Sequence, residues 1–224
     1  MTSVDEALEL ILAKAQQMAP ARIAALDAVG MVLAEDVASD IDSPPHDKAM
    51  MDGYAVRRGD LAGGSVELEV IEEVTAGAVP TKLLGDGQAT RIMTGAPIPA
   101  GANAVVMVEH TEQVGASRVK IANITLPENG NIMPRATSLA VGQTVLTAGT
   151  LIRPIEVGVL AEVGRTEVEV YRRPRLAVMT SGNELVTPDK QPAAGQIRNS
   201  NNAMLVALAH RAGAEVTDLG IARD

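Results

Sequence analysis

Residues 44–56 read PPHDKAMMDGYAV, and the texture of the chain changes across them. Within this stretch Asp52-Gly53 is flanked by apolar residues, a strong hairpin signal, so the pair is expected to form a tight, exposed corner. Downstream the chain breaks into short β-prone runs separated by glycine, at 66–74, 89–93, 104–110 and 118–121, which are the expected strands. A β-rich domain is therefore expected over 44–130.

Upstream the pattern is helical. Ser3 and Glu6 form a capping-box pair, and Val4, Ala7, Leu8, Ile11, Leu12 and Ala15 recur at helical spacing up to Pro20. A strand over 22–26 follows, with Asp27 as the N-cap of a further helical segment over 28–35 that Gly30 weakens. Beyond the β-rich stretch, Pro154 starts a helix over 155–163 and Gly164 stops it, and Val168 and Val170 alternate with polar neighbours as a strand. The flanks 1–43 and 131–172 are expected to share one discontinuous linking domain.

The charged, proline-containing run Arg172 to Arg175 marks a boundary. After it comes a βαβ opening: a strand over 176–180, a turn at Gly182, a helix over 202–212 stopped by Gly213, and a second strand over 215–219. A parallel sheet needs both faces covered, so residues 173–224 are expected to be an incomplete domain.

Composition narrows the chemistry. The 224 residues include no Phe, no Trp and two Tyr, and carry a formal net charge of -9. Aromatic stacking platforms and clustered phosphate-binding cations are both missing, so nucleic acid is not an expected partner. The chain has no cysteine, which removes disulfides, thiolate metal sites and thiol nucleophiles. The N-terminus is acidic where a signal peptide is basic, and no apolar run approaches the roughly 18 residues of a membrane span, so a cytoplasmic protein without a membrane partner is expected.

Three segments can carry chemistry. Asp52 is either a turn former or a carboxylate presented from an exposed corner, where Gly53 permits close approach of a ligand to the backbone. Thr94-Gly95 is either a plain strand exit or a hydroxyl with free backbone N–H groups that cradle an oxyanion. Ser181, Gly182 and Glu184 follow the C-terminal end of a parallel strand, where open α/β sheets bind ligands. Asp224 follows the next strand on the same edge, so Glu184 and Asp224 either converge as hard oxygen donors for Mg²⁺ or are solvated loop carboxylates. His46, His110 and His210 are isolated and lack metal-ligand spacing.

Taken in order, MDGYAV (51–56), RIMTGAPIPAGANAVVMVEHTE (91–112), YRRPR (171–175), TSGNELV (180–186), GQIRNSN (195–201) and AGAEVTDLGIARD (212–224) resemble the molybdenum-insertase family of bacterial MoeA and the gephyrin E domain. The resemblance implies an α/β plus β architecture. Its parts are a helical/β linking domain with an inserted β-rich domain, then a Rossmann-like domain truncated here, with the C-terminal β domain absent. It implies insertion of molybdate into adenylylated molybdopterin, with Mg²⁺-dependent hydrolysis of the adenylate and release of AMP. By matching motifs it implies catalytic roles for Asp52, Thr94, Glu184 and Asp224, the last two as metal ligands. Gly53, Gly95, Ser181 and Gly182 are the implied molybdopterin-binding positions, and a homodimer is the implied assembly. A non-catalytic dimerisation or binding module is the competing expectation.

The chain departs from the family at several positions. His46-Asp47-Lys48-Ala49-Met50 replaces Phe-Asp-Asn-Ser-Ala, Ala136-Thr137-Ser138-Leu139 replaces Gly-Glu-Asp-Ile, and Asn183 and Asn199 stand where carboxylates are usual.

Overall fold

A computed structural model describes residues 2–223. The chain separates into two compact units, Ala38–Gln143 and the flanking pieces Met1–Val37 with Thr144–Asp224.

In the flanking unit the first helix, α1, runs Val4–Lys14 and carries the expected reciprocal cap: Ser3 Oγ accepts from Glu6 N, and Glu6 Oε2 accepts from Ser3 N. It ends before Pro20, which instead begins a strand. That strand, Pro20–Ala24, pairs antiparallel with Glu167–Tyr171 and sets Ile23 against Val168. The helix expected over 28–35 does not form. A single 3₁₀ turn, Ala25–Ala28, is followed by extended chain whose N–H groups are claimed from far away, Gly30 N–H by Ile152 O, Leu33 N–H by Thr150 O and Ala34 N–H by Glu169 O. Leu33 is fully buried as a result. Distant partners and burial of one large side chain outweigh a weak local helical preference.

Helix α2, Pro154–Glu162, has proline in its first turn and buries Leu160 and Glu156. Buried Glu156 is paired with the Arg153 guanidinium, 2.5 Å from NH2 to Oε1, and accepts Arg153 N–H at 2.9 Å. The expected βαβ element is present. Strand Arg175–Ser181 runs parallel to Glu215–Ala222, and α3, Ser200–Arg211, connects them. A second parallel pair of two residues each, Leu185–Val186 with Ile197–Arg198, lies within that connection.

The Ala38–Gln143 unit is built on a mixed six-stranded sheet. The spatial order is Ala104–Met107, Gly53–Val56, Gln88–Ile92, Val66–Val74, Arg118–Ile121 and Thr111–Val114. Only Val66–Val74 with Gln88–Ile92 is parallel. The run expected at 104–110 is strand only to Met107 and continues as a 3₁₀ turn, Val108–His110.

The Asp52-Gly53 hairpin is not formed. Gly53 opens a four-residue strand buried at every position, because Tyr54 and Val56 enter one apolar cluster with Leu68 and Val119 while Ala55 enters another with Ile92 and Val105. A strand covered on both faces loses the polar alternation that would have announced it.

Ala136 sits at φ 60° in the left-handed region, where glycine is the favoured residue. Its N–H donates to Pro44 O at 3.0 Å, so the turn is held there. A β-carbon in this conformation costs about 1–2 kcal/mol, partly offset by the greater unfolded-state freedom of glycine. Ala136→Gly is therefore expected to raise unfolding free energy by up to about 1 kcal/mol in urea titrations.

The Arg153 hydrogen bonds hold the Glu156 carboxyl down at about 2 from its ordinary 4.5. A depressed carboxyl stabilises the fold above its unfolded value and loses that contribution as pH falls toward the folded one. Glu156→Gln is expected to lower the melting temperature at neutral pH, with the gap to the unmodified chain closing between pH 4.5 and about 2. A gap that stays constant over this range would show that the ion pair contributes nothing.

Candidate functional site

In the β-rich unit the loop before Gly53 is fixed at several points. Ala49 N–H donates to Ala96 O, Met50 N–H to Asn131 O and Ile98 N–H to Asp47 O, while Asp52 O accepts Val108 N–H at 3.0 Å. Lys48–Ala49 also pairs with Ile132–Met133 as a two-residue ladder. Asp52 thus enters its strand from a braced segment.

The carboxylate then reaches the second motif. Asp52 Oδ1 accepts both Thr94 N–H and Thr94 Oγ1–H, each at 2.6 Å. Thr94 lies in a turn closed by Ala96 N–H to Met93 O, and Gly95, at φ 83°, occupies the position where such a turn requires the left-handed region. The hydroxyl bond first, and the backbone bond second, hold the Asp52 carboxyl below the ordinary carboxylate range. Asp52 and Thr94 are both exposed, so this ionised pair faces solvent.

The free N–H groups expected at 94–96 are not free. Thr94 N–H goes to Asp52, Gly95 N–H to Ala49 O and Ala96 N–H to Met93 O. What the turn presents outward is the Thr94–Asp52 pair itself. The close approach expected at Gly53 is made by protein: a β-carbon there would lie 1.8 Å from Val106 O.

The other sequence-derived residues lie in the flanking unit. Ser181 ends the parallel strand, and a β-carbon at buried Gly182 would meet Glu184 Oε2 at 2.5 Å, so glycine lets that carboxylate fold back over the loop. A cavity of about 270 Å³ opens here, lined by Thr180, Ser181, Glu184, Asn199 and the first residues of α3. Asn199 is buried and acts twice, its Oδ1 capping α3 through Asn202 N–H and its Nδ2 donating to Thr180 Oγ1 at 2.7 Å. Arg223 Nη1 donates to the carbonyls of Gly182 and Asn183, bracing the same loop.

Asp224 lies outside the described residues. Glu184 and the Ser181 hydroxyl are hard oxygen donors of the kind Mg²⁺ takes, the Thr180 hydroxyl being already engaged by Asn199 Nδ2, and among the described residues no group of three or more His, Asp or Glu side chains could hold a metal ion. His110 and His210 are exposed, and His46 is exposed beside a cleft of about 440 Å³ with Asp47 and Arg135. Among the described residues no helix is long and apolar enough to cross a membrane. Sequence reasoning missed Asn131, which stands outside the quoted motifs, and the capping role of Asn199, because the helix was expected to begin at 202 and instead begins at Ser200.

Residues 2–164 match the family described as "MoeA N-terminal region (domain I and II)". A Staphylococcus aureus (strain MSSA476) protein named molybdopterin molybdenumtransferase is 39% identical over 219 residues, 95% of this chain and 51% of that protein. One of the same name from Nostoc sp. is 42% identical over 200 residues, 87% of this chain and 45% of that one. A crystal structure of the molybdopterin biosynthesis MoeA protein from Pyrococcus horikoshii superposes with a TM-score of 0.89 at 33% identity, covering 98% of this chain and 59% of that one. The chain belongs to the MoeA family. It spans about half the length of the relatives it matches.

The geometry makes the Asp52 titration a direct report on the Thr94 contact. Thr94→Ala removes the hydroxyl bond and leaves the backbone one, so the Asp52 midpoint, followed by carboxyl NMR, is expected to rise toward the ordinary value of about 3.9. An unmoved midpoint would mean that the hydroxyl does not hold the carboxylate in solution.

Proposed function

We propose that the protein to which this chain belongs works in molybdenum cofactor biosynthesis, placing molybdenum from molybdate on adenylylated molybdopterin and hydrolysing the adenylate so that AMP leaves. The observation that carries this reading is the double hydrogen bond between Asp52 and Thr94, residues 42 positions apart in two separate motifs. The two segments are also tied by Ala49 N–H to Ala96 O and Gly95 N–H to Ala49 O, so the backbone already holds them side by side without the carboxylate. Their union in one exposed, ionised pair is what a substrate-placing site would select.

In this reading Asp52 accepts from donors on the substrate, and Thr94 orients the carboxylate through its two hydrogen bonds. Gly53 allows the close backbone approach, and Gly95 the left-handed turn, that bring the pair together. In the flanking unit Ser181 and Gly182 contact the pterin-bearing substrate, and Glu184, joined by Asp224, holds Mg²⁺. When bound, that cation offsets negative charge on the phosphoanhydride. The same proposal keeps the division into a linking domain (1–43 and 131–172), a β-rich domain (44–130) and the start of a Rossmann-like domain (173–224). The parallel pair Arg175–Ser181 and Glu215–Ala222 supports the last of these.

A homodimer and a cytoplasmic setting complete the proposal. The 11-residue helix α1 has no buried residue and leaves Leu8, Ile11 and Leu12 more than half exposed. Isolated helices of that length are marginal in water, so a cover for its apolar side is required, and a second copy is the cover proposed. A non-catalytic module is the second reading. It is favoured by the cavity beside α3, where Glu184 is the one carboxylate among the described lining residues.

The decisive experiment expresses the full-length gene product in a cell lacking its own insertase and measures molybdoenzyme activity and AMP release. Restoration is expected. Asp52→Asn keeps an oxygen for Thr94 but removes the charge, so the folded variant is expected to lose roughly ten- to a hundredfold in cofactor formation, the equivalent of one charge-assisted bond. Wild-type activity in Asp52→Asn would remove Asp52 from the site, and no restoration by well-folded protein would favour the module.

A further inference from the structure

The Asp52 carboxylate depends on a braced loop, and one of its braces lies in a segment that none of the quoted motifs contains. Val105, fully buried in the edge strand Ala104–Met107, directs its N–H and its carbonyl away from the neighbouring strand. Gly130 O takes the N–H at 2.9 Å, and Asn131 Nδ2 donates to the carbonyl at 2.9 Å. The backbone carbonyl of Asn131 meanwhile accepts Met50 N–H at 2.9 Å, two residues before Asp52.

Asn131 has φ 59°, and this left-handed backbone turns its carbonyl toward the loop while its side chain reaches the strand edge. Two demands meet at this position. The residue must tolerate the left-handed region, which asparagine and glycine do best, and it must supply a side-chain donor, which glycine lacks. Asparagine answers both.

We infer that Asn131 is a positioning residue for the Asp52–Thr94 pair, tying the Met50–Asp52 segment to the sheet edge so that the carboxylate meets Thr94. Asn131 acts through the loop and touches neither Asp52 nor Thr94 in any hydrogen bond of the structure. The consequence for cofactor formation rests on the proposed role of Asp52, but the mechanical link does not.

The test uses Asn131→Gly, which keeps the backbone conformation and removes the donor, and Asn131→Ala, which removes the donor without adding a charge near Asp52. In either variant that folds, the Asp52 titration midpoint is expected to move upward in the direction produced by Thr94→Ala. Cofactor formation by the full-length gene product is expected to fall at least tenfold. A purely structural residue would lower the melting temperature and leave the Asp52 midpoint in place, and that result in either folded variant overturns the inference. A shifted midpoint with undiminished cofactor formation would uphold the link and overturn the role proposed for Asp52. A measurement on the unmodified chain guards against variants that fail to fold: amide hydrogen exchange at Met50 and Thr94 is expected to agree within tenfold, and Thr94 exchanging much faster overturns the inference.

Discussion

The contact on which the β-rich unit depends is the passage of one backbone against another at Gly53. A β-carbon there would lie 1.8 Å from Val106 O and 2.8 Å from Val106 C, and because both atoms are backbone no side chain can swing away to make room. Glycine lets Gly53–Val56 pair with Gln88–Ile92 on one side and Ala104–Met107 on the other at the same residues. The loop immediately upstream inherits that register. Asp52, one residue earlier, has its carbonyl taken by Val108 N–H beyond one neighbouring strand, and its carboxylate taken by Thr94 just beyond the other. The site's position follows from the pairing of three strands.

That origin explains the electrostatics. Thr94 supplies two donors to one Asp52 oxygen, which lowers the carboxyl below the ordinary carboxylate range and fixes its orientation at an exposed corner. The turn at Met93–Ala96 can offer those donors because its other N–H groups are committed to Ala49 and Met93. A loop with unpaired N–H groups would attract an anion instead. Committing them makes this corner an acceptor, suited to donors on an incoming molecule.

Features encoded by neighbours in sequence were legible. The Ser3–Glu6 cap, proline at the start of α2, and strands Val66–Val74 and Arg118–Ile121 all announce themselves within a few residues. Features decided at a distance were not. Asp52-Gly53 carries the local signature of a hairpin, yet two apolar clusters enclose Gly53–Val56 and make it a central strand. Residues 28–35 carry a weak helical pattern, yet backbone partners more than a hundred residues away draw Gly30, Leu33 and Ala34 into extended chain. In the candidate site the residue types at Asp52 and Thr94 were readable, but their contact was not, since no spacing rule links positions 42 apart.

The departures from the family acquire a physical reading in the flanking unit. Asn199 stands where the resemblance implies a carboxylate, and in this chain its one side chain both caps α3 and donates to Thr180 Oγ1. A carboxylate performs the first task well and cannot perform the second, so neutrality at 199 is tied to a donor that locks the end of strand Arg175–Ser181. The change also leaves Glu184 as the one carboxylate among the described residues lining that cavity. A divalent cation held there would draw most of its remaining coordination from water and ligand oxygens, as magnesium commonly does.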